Sequence, residues 1–241
     1  MGAGRKVRLV RGANAEALAP LLETGILAIL DTGVCPSAER IIRHARFLSR
    51  SGIRFFQLRA KGLEDRKCLA LSIGLREALS GSVLTVNDRC DIAAAAGAQG
   101  VHLGQDDMPV SGARSILGGK TVVGASAGNP RELRIAVAGR PDYLSFGPVF
   151  STSTKVDAGP PLGLDGFRAL VRLAPRSIPI LAVGGVTPDN VDVLFKSGAD
   201  AVAIASWWWR CGNPARAVRR MLGAVAAARK SKRRAAPQSG G

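Results

Sequence analysis

The sequence predicts a single (β/α)8 barrel, and three observations carry this prediction. Eight short aliphatic runs alternate with helical patterns along the chain. Most of these runs lack polar alternation, as expected of parallel strands that helices cover. The repeating part spans roughly 200 residues, near the roughly 250 typical of this fold. An open doubly wound sheet is the alternative, but the chain lacks the glycine-rich dinucleotide fingerprint G-x-G-x-x-G after the first run.

The predicted strands are rich in aliphatic and β-branched residues. In chain order they are residues 25–31, 53–58, 83–88, 100–104, 121–126, 143–147, 178–185 and 201–206. The intervals between them carry the signals of helix starts. Ser37 is a predicted N-cap, Asn129 precedes Pro130, and Thr187 precedes Pro188. Apolar stripes at helical spacing follow at Ile41, Ala45 and Leu48, and at Val191, Leu194 and Phe195.

Charge and composition divide the chain into three parts. The 241 residues carry a net charge of +16, and residues 1–11 and 229–234 are basic with no acidic residue. We therefore expect a basic N-terminal extension at 1–20, a barrel at 21–228 and a flexible basic tail at 229–241. The chain shows no motif for specific nucleic-acid recognition.

The chain also lacks the features of membrane and secreted proteins. No run approaches the roughly 18 apolar residues that a membrane span needs, and the first residues do not form a secretory signal. The four cysteines lie far apart, which argues against a zinc site or a disulfide scaffold. We expect a cytoplasmic protein without membrane partners.

Polar residues gather at the carboxyl ends of the predicted strands, where active sites of this fold lie. They are Gln57, Arg59, Lys61, Asn87, Asp88, His102, Gln105, Asp106, Asp107, Ser126, residues 151–155, Gly184, Gly185 and Ser206. A cationic cluster of Arg59, Lys61 and Lys155 would suit a di- or polyphosphate. Asp88 with Asp106 or Asp107 would suit Mg²⁺, which takes few carboxylates together with substrate phosphates.

The two histidines have different predicted positions in this arrangement. His102 ends the fourth strand, where a general base and a residue that holds a loop by hydrogen bonds are equal alternatives. His44 lies in a predicted helix among charged residues and is expected at the surface. The sequence contains no recognisable set of nucleophile, base and orienting residue.

Six segments in order resemble the signature segments of the thiamine phosphate synthase family. They are QLRAK (57–61), VNDR (86–89), HLGQDD (102–107), GPVFSTSTK (147–155), AVGGV (182–186) and AIAS (203–206). The likeness spans about residues 25 to 225. It implies a transferase of thiamine biosynthesis that depends on Mg²⁺. Such an enzyme moves the 4-amino-2-methylpyrimidin-5-ylmethyl group from its diphosphate to the nitrogen of 4-methyl-5-(2-phosphooxyethyl)thiazole, giving thiamine phosphate and pyrophosphate.

The resemblance also implies a role for each matching residue. The pyrimidine diphosphate would be bound by Gln57, Arg59, Lys61, Asn87, Ser126 and Lys155, and of these Arg59, Lys61 and Lys155 would be catalytic. The thiazole phosphate would be bound by Thr152, Ser153, Thr154, Gly185, Ala205 and Ser206. Asp88 and Asp107 would hold Mg²⁺. The partners would thus be these two small molecules.

The chain departs from the family pattern at two places. SAG at 126–128 stands where the family often has Ser-Thr-His, and this counts against the related thiazole tautomerase, which uses a histidine there. The tautomerase and a polyanion-binding protein without enzymatic activity remain the alternatives. The run Trp207–Trp209 is also unusual, and one of its indoles is expected to mark a lid or a subunit interface, as in a homo-oligomer.

Overall fold

The computed structural model describes residues 14–152, 154 and 159–235, and the strands form a closed barrel. Eight parallel strands pair in chain order, and β8 returns to pair with β1. The strands are β1 Ile26–Asp31, β2 Phe55–Arg59, β3 Val83–Asn87, β4 Gly100–Leu103, β5 Val122–Ala127, β6 Tyr143–Phe146, β7 Ile180–Val183 and β8 Ala201–Ile204. Each overlaps a predicted run, so the (β/α)8 prediction is confirmed.

Helices follow the strands and cover the outside of the barrel. Over the described residues they are α1 Ala15–Thr24, α2 Ala38–Arg50, α3 Asp65–Ala78, α4 Cys90–Ala96, α5 Val110–Leu117, α6 Pro130–Ala138, α7 Gly163–Leu173, α8 Val191–Lys196, α9 Trp207–Arg210 and α10 Pro214–Ala235. Across that part of the chain, none of the helices combines the length and apolar character needed to span a membrane.

Two of the three predicted helix caps are confirmed. The side chain of Ser37 accepts a hydrogen bond from Arg40 N, and that of Asn129 accepts from two amides at the start of α6. The prediction of a helix start at Thr187 is wrong, because α8 begins at Val191. Thr187 N donates to Asn190 Oδ1 at 2.9 Å, and this hydrogen bond closes a turn just before α8.

The hydrophobic core has two layers. Outward-facing strand residues pack against the helices, and inward-facing residues fill the lower part of the barrel. Leu18 and Leu21 of α1 are fully buried against the inner layer, which includes Leu27, Phe55 and Leu181 near the beginnings of their strands. Helix α1 therefore closes the amino-terminal end of the barrel and leaves the other end open.

A carboxylate before β6 holds the start of α1 in place. Asp142 accepts hydrogen bonds from Asn14 Nδ2 at 3.0 Å, Arg114 Nη2 at 2.6 Å and Val123 N at 2.7 Å. Three donors from three elements thus bind the partly buried Asp142 carboxylate and stabilise its negative charge. The contact links α1, α5 and β5.

Helix α10 returns to the amino-terminal end of the barrel. The Arg229 guanidinium donates to the carbonyls of Leu22 and Glu23 at the end of α1, and Lys232 Nζ lies 3.0 Å from Asp200 Oδ1. Helix α1 begins before the expected domain limit at 21, and α10 extends past the expected limit at 228. Arg229 and Lys232, which were predicted to belong to a flexible tail, make contacts that stabilise the fold.

The ion pair between Lys232 and Asp200 leads to a prediction about stability. The side chains are 14% and 2% exposed, and Ile180 N also donates to Asp200. Lys232→Met would leave a buried carboxylate without its cation, so we expect the free energy of unfolding in urea to fall by about 2 to 3 kcal/mol. The exposed Lys230 provides the control, because Lys230→Met should change it by less than about 0.5 kcal/mol. Equal stability of the two variants would contradict the structural role of Lys232.

Candidate active site

A cavity of about 840 Å³ opens at the carboxyl ends of the strands. Every predicted site residue within the described part of the chain lines it: Gln57, Arg59, Lys61, Asn87, Asp88, Asp107, Ser126, Thr152, Thr154, Gly185, Ala205 and Ser206. Ser153 and Lys155, also predicted, lie outside the described residues. Segments far apart in sequence thus meet at one mouth, as the parallel barrel requires.

Strand β2 contributes two inward-facing polar side chains. Gln57 and Arg59 alternate with Leu58, which packs in the outer core. Gln57 Nε2 donates to Asn87 Oδ1 at 2.7 Å, and Arg59 Nη1 donates to Asp31 Oδ2 at 2.9 Å. The Asp31 side chain, only 2% exposed, was not among the predicted site residues, although its place at the end of β1 could have revealed it. Asp31 fixes the Arg59 guanidinium at the cavity wall.

Two carboxylates meet above β3 and β4. Asp88 has a left-handed backbone (φ 65°), and its carboxyl group lies within hydrogen-bonding range of that of Asp107. Asp107 also accepts from Gly104 N at 2.6 Å, whereas the Asp106 side chain is exposed. Lys61 Nζ lies 3.5 Å from Asp88 Oδ2. Of the two aspartates left open by the sequence, Asp107 is thus the one that meets Asp88.

The environment of Asp88 disfavours its ionised form. Burial raises the pKa of this carboxyl to about 6, and the hydrogen bond and negative charge of Asp107 act in the same direction. The Lys61 ammonium opposes the increase in pKa. A bound cation would relieve the repulsion between the two carboxylates.

The donor set fits magnesium better than a transition metal. Among the described residues, no cluster of three or more His, Cys, Asp or Glu side chains is placed to hold a metal ion. Mg²⁺ is usually held by one or two carboxylates together with water and substrate phosphates. Asp88 and Asp107 beside a cavity with cationic walls match that requirement.

His102 connects two elements of the cavity wall. Its Nδ1 lies 3.0 Å from Tyr143 Oη and its Nε2 lies 2.9 Å from Ser126 Oγ. The Tyr143 ring fills the space over Gly124, where an added Cβ would lie 2.1 Å from Tyr143 Cζ. Of the two alternatives for His102, the geometry favours holding other residues by hydrogen bonds, since both ring nitrogens have partners. Burial also raises the pKa of Tyr143, which keeps this phenol neutral.

Glycines bring the loops after β6 and β7 close together. Gly184 and Gly185 have positive φ angles of 95° and 63°. A Cβ at Gly185 would lie 2.7 Å from Phe150 Cβ, and one at Gly184 would lie 2.5 Å from Pro148 Cβ. These two positions therefore require glycine for both conformation and space.

A hydroxyl pair extends this wall to β8. Thr154 Oγ1 donates to Ser206 Oγ at 2.8 Å, and Thr154 N donates to Thr152 Oγ1 at 3.2 Å. Asn190 Nδ2 holds the carbonyl of Gly185 at 2.9 Å. This side of the cavity offers hydroxyl and backbone groups, whereas the β2 and β3 side offers cations and carboxylates.

The expectation that His44 lies at the surface is wrong. Its ring packs against the Trp209 ring with centroids 4.3 Å apart and planes tilted by 36°, and burial lowers the pKa of His44 to about 4. Helix α9 brings the indole against α2, a contact between distant segments that local sequence does not reveal. Trp207 and Arg210 also line the cavity, although neither was among the predicted site residues.

Comparison with known proteins identifies the family. A family model described as thiamine monophosphate synthase matches residues 26–207. The thiamine-phosphate synthase of Moorella thermoacetica is 42% identical over 180 residues, covering 74% of this chain and 85% of the relative. That of Laribacter hongkongensis is 35% identical over 203 residues, covering 83% and 95%.

Solved structures agree with this comparison. Thiamine phosphate pyrophosphorylase from Pyrococcus furiosus has a TM-score of 0.73 and 28% identity, covering 86% of this chain and 98% of that one. The 3-hexulose-6-phosphate synthase of Salmonella typhimurium, with a TM-score of 0.68 and 14% identity, shares the fold alone. The resemblance found in the six segments is confirmed, and the chain belongs to the thiamine monophosphate synthase family.

Proposed function

We propose that this protein is a thiamine phosphate synthase, a transferase that joins the pyrimidine diphosphate to the thiazole phosphate and releases pyrophosphate. One observation carries the proposal. All described residues to which the resemblance assigns a role line a single cavity, with cationic and carboxylate groups on one side and hydroxyl and glycine groups on the other. Such a cavity accommodates two phosphorylated substrates. We place the reaction in the cytoplasm.

The pyrimidine diphosphate would lie on the β2 and β3 side. The hydrogen bond from Gln57 to Asn87 fixes both amides, and Asp31 fixes the Arg59 guanidinium before substrate binds. Such preorganisation reduces the loss of side-chain entropy on binding. Ser126, held by His102, and Lys155, assigned by resemblance, would complete this side.

Asp88 and Asp107 would hold Mg²⁺. When bound, the ion would neutralise charge on the diphosphate and on the departing pyrophosphate. Lys61, which lies beside Asp88, would contribute a positive charge to the same leaving group. A contact between unit charges at about 4 Å is worth about 4 kcal/mol at an effective dielectric near 20, before desolvation is subtracted.

The thiazole phosphate would lie on the opposite side of the cavity. The Thr152, Thr154 and Ser206 hydroxyls lie close together, and the Gly185 segment offers backbone groups. Together with Ser153 and Ala205 they would bind the phosphate and orient the thiazole nitrogen. Aligning the acceptor with the leaving group is the main requirement of this reaction.

The chemistry proceeds by departure of pyrophosphate from the pyrimidine methylene carbon. The electrons of the C–O bond leave with pyrophosphate, and the thiazole nitrogen lone pair forms the new C–N bond. No proton transfer is required at the reacting atoms. A mechanism without a base agrees with the position of His102, because both of its ring nitrogens already have hydrogen-bond partners.

Direct assay tests the function. The purified protein, the pyrimidine diphosphate, the thiazole phosphate and Mg²⁺ should yield thiamine phosphate and pyrophosphate in equal amounts. EDTA should abolish both products. A failure to form product would contradict the synthase. Isomerisation of a thiazole without release of pyrophosphate would indicate the tautomerase instead.

Substitution of the charged residues tests the roles of Asp88 and Lys155. Asp88→Ala or Lys155→Ala should lower kcat/KM roughly 100-fold or more, because the first removes a ligand of Mg²⁺ and the second removes a positive charge that would act on the diphosphate. Asp106→Ala provides a control, since this exposed neighbour of Asp107 should retain at least about half the wild-type kcat/KM. Near wild-type activity of Asp88→Ala or of Lys155→Ala would contradict the role assigned to the substituted residue.

The raised pKa of Asp88 predicts how stability depends on pH in metal-free protein. Because the folded-state pKa of Asp88, about 6, exceeds its ordinary value of 3.8, protonation of this carboxyl favours folding. This contribution is fully present below about pH 4 and is lost as pH rises through 6. Asp88→Asn should therefore stabilise the fold by about 1 to 2 kcal/mol at pH 8 in EDTA, and by almost nothing at pH 4.

Urea unfolding at both pH values measures this difference. Adding Mg²⁺ at pH 8 should stabilise the wild type and leave Asp88→Asn nearly unchanged, because ligands stabilise the state that binds them. The same change in stability at both pH values would contradict the assigned environment of Asp88.

A further inference from the structure

The three indoles of Trp207–Trp209 point in three different directions. Trp208 is 2% exposed, and its Nε1 donates to Ile204 O at 3.2 Å. Trp209 packs against His44 of α2. Trp207 is partly buried and lines the cavity. Only the first indole of the run is therefore placed to meet a substrate.

Packing restricts the orientation of Trp207. Its ring meets the Trp208 ring edge to face, with centroids 5.5 Å apart and planes at 69°. Because Trp208 is anchored in the core, the Trp207 ring rests on a rigid support. Arg210 follows one helical turn later and lines the same cavity. This side of α9 thus forms a continuous part of the cavity wall.

The position of Trp207 relates it to one substrate. It directly follows Ser206, whose Oγ accepts from Thr154 Oγ1 at 2.8 Å. Under the proposed function this hydroxyl pair binds the phosphate of the thiazole substrate. An indole beside that group offers a planar apolar surface to the heteroaromatic ring attached to the phosphate.

We propose that Trp207 contacts the thiazole ring and contributes to selection of this substrate, an inference that rests on the proposed function. Formation of the C–N bond turns the neutral thiazole into a positively charged thiazolium as the C–O electrons leave with pyrophosphate. The face of an indole attracts a cation more strongly than a neutral ring. The contact with Trp207 therefore strengthens as the reaction proceeds.

Kinetics of Trp207→Ala, Trp207→Phe and Trp209→Phe test the proposal. Trp207→Ala should lower kcat/KM for the thiazole phosphate about tenfold and change KM for the pyrimidine diphosphate less than about twofold. Trp207→Phe keeps an aromatic face and should recover most of the loss. Trp209→Phe, altered outside the cavity, should behave as wild type.

Tryptophan fluorescence gives an independent readout of binding. Titration with the thiazole phosphate should change the emission of the wild type and of Trp209→Phe, and this change should be largely lost in Trp207→Phe. An equal rise in KM for both substrates in Trp207→Ala would overturn the proposal. A fluorescence change on adding the thiazole phosphate that persists in Trp207→Phe would also overturn it. Absence of thiamine phosphate formation by the wild type would instead contradict the proposed function.

Discussion

Closure of the sheet through the pairing of β8 with β1 is the interaction that creates the cavity. In a closed parallel barrel all carboxyl ends of the strands meet at one mouth. Closure brings Ser206 after β8 to the same opening as Arg59 at the end of β2. Helix α1 fills the opposite opening with Leu18 and Leu21, so only one end is available to substrates.

Charge is distributed unevenly around that mouth. The chain carries +16 overall, yet Asp31, Asp88 and Asp107 all line the cavity. Asp31 neutralises Arg59 locally and orients it, whereas Asp88 and Asp107 repel each other. Repulsion between neighbouring carboxylates weakens a fold and favours a cation that relieves it. Under the proposed function, the site thus gives up stability of the empty protein in favour of metal and diphosphate binding.

Much of the fold and of the cavity could be predicted from sequence, because both depend on local signals. The strands are short apolar runs, Ser37 and Asn129 cap helices through neighbouring amides, and strand ends mark the mouth. The errors arise from contacts between distant segments. Neither the packing of His44 against Trp209 nor the pairing of Lys232 with Asp200 has a local signature. Both depend on where the barrel places α9 and α10.

The contacts of α10 have a consequence for the order of folding. Arg229 binds the end of α1 across more than 200 residues of chain, and β1 cannot complete its pairing until β8 exists. Closing such long loops is slow, because chain entropy must be lost before the contact stabilises anything. During synthesis, a sheet formed by β1 to β7 therefore stays open, with unpaired edges on β1 and β7. Strand β8 completes the barrel, and the nascent chain stays prone to edge-to-edge association until then.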